Sequence, residues 1–347
     1  MADKPSAAFS AASSPDVLTQ TETVLPQPVC VMSFNACDPC GAGALTADIT
    51  TIASVGGHPV AVACGIHARD TSRIFSHTAL DSDLVADQAR TVLEDMPVRA
   101  IKVGFASTPA NLGEIAEIAS DYPDIPIISY MPDLSWWQEG DRLEEYLDAF
   151  EALVLPQTSV LVGSHGTLWR WLLPDWQLSR PPTARDIAKA AEARDVPYVL
   201  VTGIALSGEQ VDNVLASSEA VLGSSKFELF DASFHGAGDT LSAALTALLA
   251  VGNDLSAAVQ EALEYLDHSL GSGFRPGMGQ LIPDRMFWAQ PEDDEADSLA
   301  DAADQQPAEA SNADSIDTTA VANSPNSEIL ETLPIDGFLM PSHDTKH

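Results

Sequence analysis

Short runs of apolar, mostly β-branched residues recur along the chain, each separated from the next by a segment long enough for a helix. The runs lie at 28–34, 58–64, 100–103, 125–130, 159–162 and 197–201. Their near-continuous apolar character predicts burial on both faces, which is typical of parallel strands. Parallel strands need crossover connections, and helices fit the segments 42–55, 83–94, 109–120, 141–152 and 184–193. The pattern therefore predicts an α/β fold in which helices flank a doubly wound, mostly parallel sheet.

Beyond residue 202 the rhythm changes to shorter strand-like pieces at 211–215, 220–222 and 226–230, and a long apolar segment begins near Gly236. Short strands joined by short connections are typical of an antiparallel meander. We therefore expect a β-meander at one edge of the sheet, followed by a long helix.

The chain of 347 residues could form one large domain or two small ones. From residue 290 onward it is rich in Ala, Asp, Glu, Ser, Pro and Asn and poor in large apolar residues. Such a composition cannot offset the entropy lost on ordering. We therefore predict a flexible N-terminal segment over 1–27, one domain over 28–288 and an acidic disordered tail over 289–347.

The charge balance is extreme, with 51 acidic against 16 basic side chains and a formal net charge of −35. A field of that sign repels nucleic acid and anionic membranes, so we expect neither as a partner. No apolar run reaches the roughly 18 residues that a membrane span needs. Residues 1–27 also lack the basic and apolar regions of a secretory signal, and we expect a cytoplasmic protein.

The four cysteines all lie in the N-terminal part of the chain, at Cys30, Cys37, Cys40 and Cys64. The spacing of Cys37 and Cys40 matches a redox pair, but a zinc site would need two more ligands at matching spacing. Cys30 and Cys64 occupy apolar strand positions where a small hydrophobic side chain suffices. We therefore expect neither a disulfide nor a metal site.

The most informative motif is a glycine-rich loop, Phe-His-Gly-Ala-Gly-Asp at 234–239, that runs directly into an apolar helix. Backbone N–H groups and the helix dipole at such a junction stabilise phosphate oxygens. An aspartate in the first turn, Asp239, could then accept the proton of an attacking hydroxyl group. The alternative is that Asp239 only stabilises the helix dipole.

A second glycine-rich loop at 35–48 follows the first strand and opens the first helix. Open α/β sheets bind ligands at the carboxyl ends of their strands, where this loop would lie. It matches neither a dinucleotide-binding nor a Walker fingerprint. Asp38 could hold a substrate group or cap the turn.

These motifs resemble a known family. The loop at 236–239 is similar to the anion-hole and catalytic-base signature of the ribokinase superfamily. The segment 38–48 resembles, at equal length, the Asp-Pro-Ser-Gly-Gly-Ala-Gly-Ile-Gln-Ala-Asp segment of hydroxymethylpyrimidine kinases, and 101–104 resembles their Lys-Ile-Gly strand. The stretches 199–203 and 273–283 resemble a proteobacterial branch of that family.

The resemblance spans 28–288 and implies a ribokinase-like kinase that uses ATP and Mg²⁺. Its substrates would be hydroxymethylpyrimidine and its monophosphate, in thiamine biosynthesis, and the protein would be a homodimer. Asp239 would be the catalytic base. The residues implied in phosphate or ATP binding are Gly236, Ala237, Gly238 and Thr202. Those implied in substrate binding are Ala36, Asp38, Gly43, Thr46, Arg69 and Phe105. No residue is predicted as a direct metal ligand. Lys102 could contact a phosphate, although a lysine at a strand end is usually solvated.

The chain departs from the family pattern at several positions. Thr46 stands where the family usually has Gln, and Arg69 replaces the Gln that pairs with the pyrimidine edge. Ser129 and Thr167 stand where two carboxylates help to hold magnesium, while Asp239 stands where many members have Cys. Two alternatives therefore stay open: a kinase of the same fold that acts on another small alcohol, and a non-catalytic ligand-binding or regulatory paralogue.

Deletion of residues 292–347 tests the tail assignment. We expect the melting temperature and any turnover to stay unchanged, because a disordered acidic segment contributes little buried area. Thermal unfolding of the full-length and truncated chains measures the difference. A large loss of stability on truncation would mean that the tail packs on the domain.

Overall fold

The computed structural model describes residues 27–137 and 139–290, and a single nine-stranded sheet lies at the centre of this part of the chain. The strands are β1 (Cys30–Cys37), β2 (His58–Arg69), β3 (Ile74–Ala79), β4 (Val98–Val103), β5 (Ile127–Met131), β6 (Val160–Ser164), β7 (Tyr198–Leu206), β8 (Gln210–Ala216) and β9 (Val221–Glu228). Their order across the sheet is β3, β2, β1, β4, β5, β6, β7, β8, β9. Six of them, β1, β2, β4, β5, β6 and β7, are parallel, whereas β3, β8 and β9 pair with their neighbours in antiparallel fashion.

Helices cover both faces of the sheet. They are α1 (Ala44–Ser54), α2 (Ser82–Asp95), α3 (Pro109–Asp121), α4 (Gly140–Ala149), α5 (His165–Leu172), α6 (Ala184–Glu192), α7 (Ala237–Ala250) and α8 (Leu255–Gly271). A π-helical turn (Phe150–Val154) and two 3₁₀ turns (Leu155–Gln157 and Phe287–Ala289) complete the helical elements of the described residues. Helices α1, α7 and α8 pack on one face, and α2 to α6 enclose the larger core on the other.

The chain reverses its winding direction between β1 and β4. Strand β1 pairs with β2 on one side and with β4 on the other, both in parallel. In open α/β sheets, ligands bind beyond the carboxyl ends of the strands at such a reversal. The topology therefore places a ligand site where β1 and β4 end.

Strand alternation brings polar side chains to one face at this point. Successive side chains of a strand point to opposite faces. Met32 and Phe34 belong to the core beneath α2 to α6, so Ser33 and Asn35 face α1 and α7. Ser33 is the register partner of Lys102 on β4. Three buried polar side chains thus lie together on one face of this pair of strands.

The predicted fold class is confirmed, because all six predicted parallel strands and all five predicted crossover helices are present. The meander is also present, but the two pieces expected at 220–222 and 226–230 form one strand, β9. That strand lies at the sheet edge with most of its side chains at least partly exposed, so it lacks a continuous apolar run.

The sequence analysis does not predict β3, α5 or α8. Strand β3 is a polar edge strand, and α5 has only 8 residues. Helix α8 follows α7 after a connection in which Gly252 adopts a φ of +98° and Asp254 caps the new helix. The single long helix expected after Gly236 is therefore followed closely by a second one.

The predicted N-terminal segment and acidic tail lie, apart from Gln27, Ala289 and Gln290, outside the described residues. All four cysteines are free, and Cys30 and Cys64 are buried in the strands as expected. Among the helices within 27–137 and 139–290, none combines the length and the apolar character that a bilayer crossing requires.

Candidate active site

Helix α7 begins where the backbone turns sharply at Gly236, whose φ of +83° lies in the left-handed region. A Cβ atom on Gly236 would lie 1.8 Å from the Ala42 carbonyl oxygen, and one on Gly238 would lie 2.1 Å from the Tyr130 hydroxyl oxygen. Only glycine fits at these two positions. No side chain of the described residues caps the helix, so its first N–H groups are open to an anion.

Asp239 lies in the first turn of α7, and both of its carboxylate oxygens accept hydrogen bonds. Oδ1 accepts from Lys102 Nζ at 3.0 Å and from Asn35 Nδ2 at 3.0 Å. Oδ2 accepts from the backbone N–H of Ala44 at 2.9 Å. Three donors, one of them charged, therefore fix the orientation of this carboxylate.

Lys102 connects Asp239 to a second carboxylate, Asp48. The Lys102 and Asp48 side chains are completely buried, and the Lys102 ammonium contacts both Asp48 and Asp239. Asp48 Oδ2 also accepts from Ser33 Oγ at 2.6 Å and from Asn35 Nδ2 at 3.0 Å. We call these five residues the Lys102 cluster; it holds one ammonium and two carboxylates.

The cluster shifts the pKa values of its three charged groups. Burial acts on the pKa of Asp239 to raise it, but Lys102 and the N–H of Ala44 outweigh burial and hold the pKa below its ordinary value. Burial acts to lower the pKa of Lys102, but the two carboxylates raise it overall. Burial raises the pKa of Asp48 in spite of Lys102. Asp239 is therefore held in its ionised form.

The loop before α1 is organised by Asp38. Its side chain is buried, and it accepts hydrogen bonds from the backbone N–H groups of Cys40 and Gly43, each at 2.9 Å. Thr46 Oγ1 donates to the Asp38 carbonyl oxygen at 2.9 Å. Of the two roles considered from the sequence, the geometry favours a cap of the turn. Arg69 Nη1 lies 3.6 Å from Asp38 Oδ2, so the guanidinium balances this buried charge.

Arg285 joins the same loop to α7. Its buried guanidinium donates to the carbonyl oxygens of Ala42 at 2.5 Å and Gly41 at 3.2 Å, and Nε donates to Thr240 Oγ1 at 2.9 Å. One side chain thus satisfies two loop carbonyls and anchors them to the helix. This contact holds the Gly41–Gly43 backbone against the start of α7.

A cavity of about 390 Å³ opens at the start of α7. Its lining includes Arg69, Arg73, Tyr130, Asp133, Trp136, Phe234, His235 and the residues from Gly236 to Asp239. A second, mainly apolar cavity of about 230 Å³ lies between β8, β9 and α8. Phe234 lines both cavities, so they adjoin. Together they form a cleft. One end of the cleft is apolar, and the other end lies at the N-terminus of α7.

The structure brings most of the predicted site residues together. Gly236, Ala237, Gly238, Asp239 and Arg69 line the cleft. Gly43 lies against it, since a Cβ there would be 2.8 Å from His235 Nε2 and 3.3 Å from Asp239 Oδ2.

Four other predicted residues contribute through the backbone or lie further away. The N–H groups of Ala36 and Phe105 donate to Asn35 Oδ1 at 3.0 and 3.1 Å, and both side chains are buried. Thr46 supports the loop through Asp38, as described above. Thr202 lies on β7 with its hydroxyl 3.4 Å from the Gly163 carbonyl oxygen, and it lines neither cavity of the cleft.

The two positions at which the family carries metal-network carboxylates have other partners here. Ser129 Oγ lies 2.7 Å from Thr158 Oγ1 within the protein. The backbone N–H of Thr167 donates to Ser164 Oγ at the start of α5. No cluster of three or more acidic, histidine or cysteine side chains suited to a metal occurs within the described ranges.

The sequence analysis does not select Lys102, Asp48, Asn35 or Arg285 as site residues, and it interprets Lys102 as a solvated strand-end lysine or a phosphate contact. That interpretation is wrong, because Lys102 is 0% exposed. One signal was available. A lysine within an apolar strand requires a buried carboxylate partner, and Asp48 lies in an apolar helix.

Comparisons with known proteins agree on the family and fold. The family model described as phosphomethylpyrimidine kinase matches residues 38–284. The hydroxymethylpyrimidine/phosphomethylpyrimidine kinase of Streptomyces coelicolor is 26% identical over 265 residues, which is 76% of this chain and 96% of that protein. Bacillus subtilis pyridoxal kinase superposes with a TM-score of 0.67 at 20% identity, covering 76% of this chain and 99% of that one. Phosphomethylpyrimidine kinase from Clostridium difficile superposes with a TM-score of 0.58 at 21% identity, covering 70% and 99%.

Replacement of Lys102 by Met tests the Lys102 cluster. We expect the free energy of unfolding to fall by about 3 to 5 kcal/mol, because two buried carboxylates lose their cation. Urea denaturation measures this change. The double variant Lys102→Met/Asp48→Asn removes one charge of each sign and keeps the side-chain size, so it should recover most of the loss. Equal stability of the single variant and the wild type would contradict the cluster's role.

Proposed function

Because the chain belongs to the phosphomethylpyrimidine kinase family, a family of phosphotransferases, we propose that it phosphorylates hydroxymethylpyrimidine and then its monophosphate, with ATP as the donor, in thiamine biosynthesis. The observation that carries the proposal is the position of Asp239. Its ionised carboxylate lies in the first turn of a helix whose N–H groups are open to phosphate. A base and an anion site at one helix start are what phosphoryl transfer to an alcohol requires.

The reaction transfers the γ-phosphoryl group to the substrate hydroxyl. The alcohol oxygen forms a bond to phosphorus, the bond between phosphorus and the β,γ-bridging oxygen breaks, and ADP leaves. Asp239 accepts the alcohol proton, for which Oδ2 exchanges its bond with Ala44 for one with the substrate. The N–H groups from Gly236 to Gly238 stabilise the oxygens of the transferring group.

The nucleotide base is proposed to lie in the apolar cavity between β8, β9 and α8. Phe227, Leu229 and Leu263 are among its walls, and Phe234 joins it to the cavity beside Asp239. In this proposal the base and the phosphates lie along one cleft. Thr202, which the family resemblance assigns to ATP binding, stays a prediction, although its neighbour Gly203 lines the apolar cavity.

Mg²⁺ is proposed to enter with the nucleotide. Mg²⁺ in such sites keeps several waters and takes one or two protein carboxylates beside the phosphates. Asp133 fits this requirement, because it lines the cavity at the start of α7 and its side chain is 60% exposed. The ion would neutralise phosphate charge during the transfer.

Arg69 favours a second candidate, a kinase of the same fold with a different alcohol as substrate. Its guanidinium lines the cavity beside Asp239. Other members of the family resemble one another in having a Gln at this position, whose amide would pair with the edge of the pyrimidine. The other alternative, a non-catalytic paralogue, is supported by the partners that Ser129 and Thr167 find within the protein. ATP turnover with hydroxymethylpyrimidine, compared with calorimetric binding without turnover, separates these functions.

Further assignments are proposed on the family resemblance and composition alone. They are a cytoplasmic location, a homodimer and the domain limits 28–288. The residues named in the chemistry above all belong to one chain.

Asp239→Asn tests the catalytic role. The variant keeps the size of the side chain and some of its hydrogen bonds, so we expect ATP binding to persist. Turnover should fall by about 10² to 10⁴, the usual effect of losing a general base. The matched control is Asp83→Asn, which changes an acidic residue in the first turn of α2, away from the cleft. If Asp239→Asn and Asp83→Asn both turn over like the wild type, Asp239 is only a helix-start residue.

The pH dependence of turnover tests the effect of Lys102 on Asp239. With a depressed pKa, Asp239 is charged at every pH above that value, so the wild-type rate should stay high down to the ordinary value of 3.8. In Lys102→Met/Asp48→Asn, burial is no longer opposed by the ammonium, and the acidic limb of kcat should move to higher pH. Rate profiles from pH 4 to 8 should be flat at the acidic end for the wild type and should show the acidic limb in the double variant. Superimposable profiles would refute the effect.

A further inference from the structure

A nearly buried amide, that of Asn213, lies in the wall of the apolar cavity between β8, β9 and α8. Asn213 belongs to β8 and lies two residues before Leu215, which packs in the core with α7 and α8, so both side chains point to the same face of the sheet. The residue is only 9% exposed. The phosphoryl-transfer chemistry proposed above does not use this side chain.

A β-bulge fixes the orientation of the Asn213 amide. Two residues of β7, Thr202 and Gly203, lie opposite Asn213 alone, because the register of the two strands shifts at this point. Gly203 has a φ of +68°, and its N–H donates to Asn213 Oδ1 at 3.0 Å. The partner is a backbone donor, so the amide atom that faces it must be the oxygen. The amide nitrogen, Nδ2, therefore points away from the bulge.

Nδ2 of Asn213 donates to no group among the described residues. It keeps accessible surface, unlike the sealed polar atoms of the protein such as Ser107 Oγ. Glu228 and Asp267 line the same cavity, but their carboxylates can only accept hydrogen bonds. Among the described residues that line the cavity, Asn213 is thus the one whose side chain carries N–H groups. The bulge needs only the oxygen, which leaves the donor for a ligand.

An unpaired donor in an apolar cavity selects what can bind there. The walls, which include Phe227, Leu263 and Leu266, favour a flat ring, and one well-placed polar group then fixes its orientation. A buried donor without a partner is costly, so a ring with an acceptor opposite Nδ2 gains affinity over a ring without one. Adenine is flat and carries acceptor nitrogens along its edges.

We infer that Asn213 is a specificity-determining residue of the nucleotide site, where its Nδ2 donates a hydrogen bond to a ring nitrogen of adenine. The inference rests on the proposed function, in which the base of ATP lies in this cavity. Oδ1 holds the bulge and Nδ2 holds the base, so a single amide joins the nucleotide to the paired strands β7 and β8.

Deaza analogues of ADP test the ligand side of this contact. In each analogue a C–H group replaces one acceptor nitrogen of the ring, and the shape of the base is unchanged. We expect one analogue to bind the full-length wild type at least about fivefold more weakly than ADP, because it leaves Nδ2 without a partner. The other analogues should bind like ADP and serve as controls for the replacement itself. Calorimetry in the presence of Mg²⁺ measures the affinities.

Asn213→Asp tests the protein side, because it keeps the oxygen that accepts from Gly203 and replaces the donor by a second oxygen. ADP should bind at least about fivefold more weakly, and the difference between ADP and the sensitive analogue should disappear. In turnover assays the KM for ATP should rise while kcat stays close to the wild-type value. The matched control, Asp212→Asn, makes the reverse change at the next residue. Asp212 accepts from Ser224 Oγ at 2.8 Å and lines neither cavity of the cleft, so ADP affinity should not change.

Three outcomes would overturn the inference. They are equal affinity of the wild type for ADP and all of its deaza analogues, unchanged discrimination in Asn213→Asp, or a crystal structure with ADP in which no ring nitrogen lies within about 3.5 Å of Nδ2. The analogue experiment uses only the wild type, so it decides the question even where a buried carboxylate in Asn213→Asp lowers stability.

The same experiments distinguish this inference from the proposed function. If ADP and its analogues all bind equally, the inference fails and the proposed kinase reaction stands. If ADP does not bind at all, the inference and the role of ATP as donor fail together. If Asp239→Asn turns over like the wild type while the analogues are still discriminated, only the role of Asp239 fails.

Discussion

The contact between Lys102 and the two carboxylates of Asp48 and Asp239 is the interaction on which the site depends. It joins β4, α1 and α7, which are far apart in the chain. One ammonium cannot neutralise two buried carboxylates, so the excess negative charge must be accommodated by hydrogen bonds from Ser33, Asn35 and the Ala44 N–H. The polar residues of β1 are therefore explained by the same constraint that orients Asp239.

If Asp239 is the base, as proposed, the cluster also explains how a weakly basic carboxylate can serve in phosphoryl transfer. Its low pKa keeps Asp239 charged, and a loose transition state demands little proton removal before phosphorus–oxygen bond cleavage. The stronger requirement is position. Lys102 and Asn35 hold Oδ1, the Ala44 N–H holds Oδ2, and Arg285 holds the Gly41–Ala42 backbone against α7, so the protein itself fixes the carboxylate beside the cleft.

Three aromatic side chains pack together beside the cleft, which Trp136 lines. Phe105, His67 and Trp136 contact one another with ring centroids between 5.4 and 5.7 Å apart. The backbone N–H of Phe105 donates to Asn35, so this aromatic group is one hydrogen bond from the Lys102 cluster.

Local pattern was enough to predict the parallel strands, their crossover helices, the glycine-rich start of α7 and the place of Asp239 within it. Each of these depends on residues that are adjacent in sequence, because strand alternation, helix periodicity and glycine conformations are properties of short segments. The sequence analysis missed β3 and divided β9 into two pieces, because both are edge strands and an edge strand needs no continuous apolar run. The partners of Asp239 came only from the tertiary structure. Lys102 and Asn35 belong to other elements, β4 and β1, and a buried charge finds its counter-charge through packing and register. A lysine in an apolar strand signals that a carboxylate partner exists, but local pattern does not identify Asp239 as that partner.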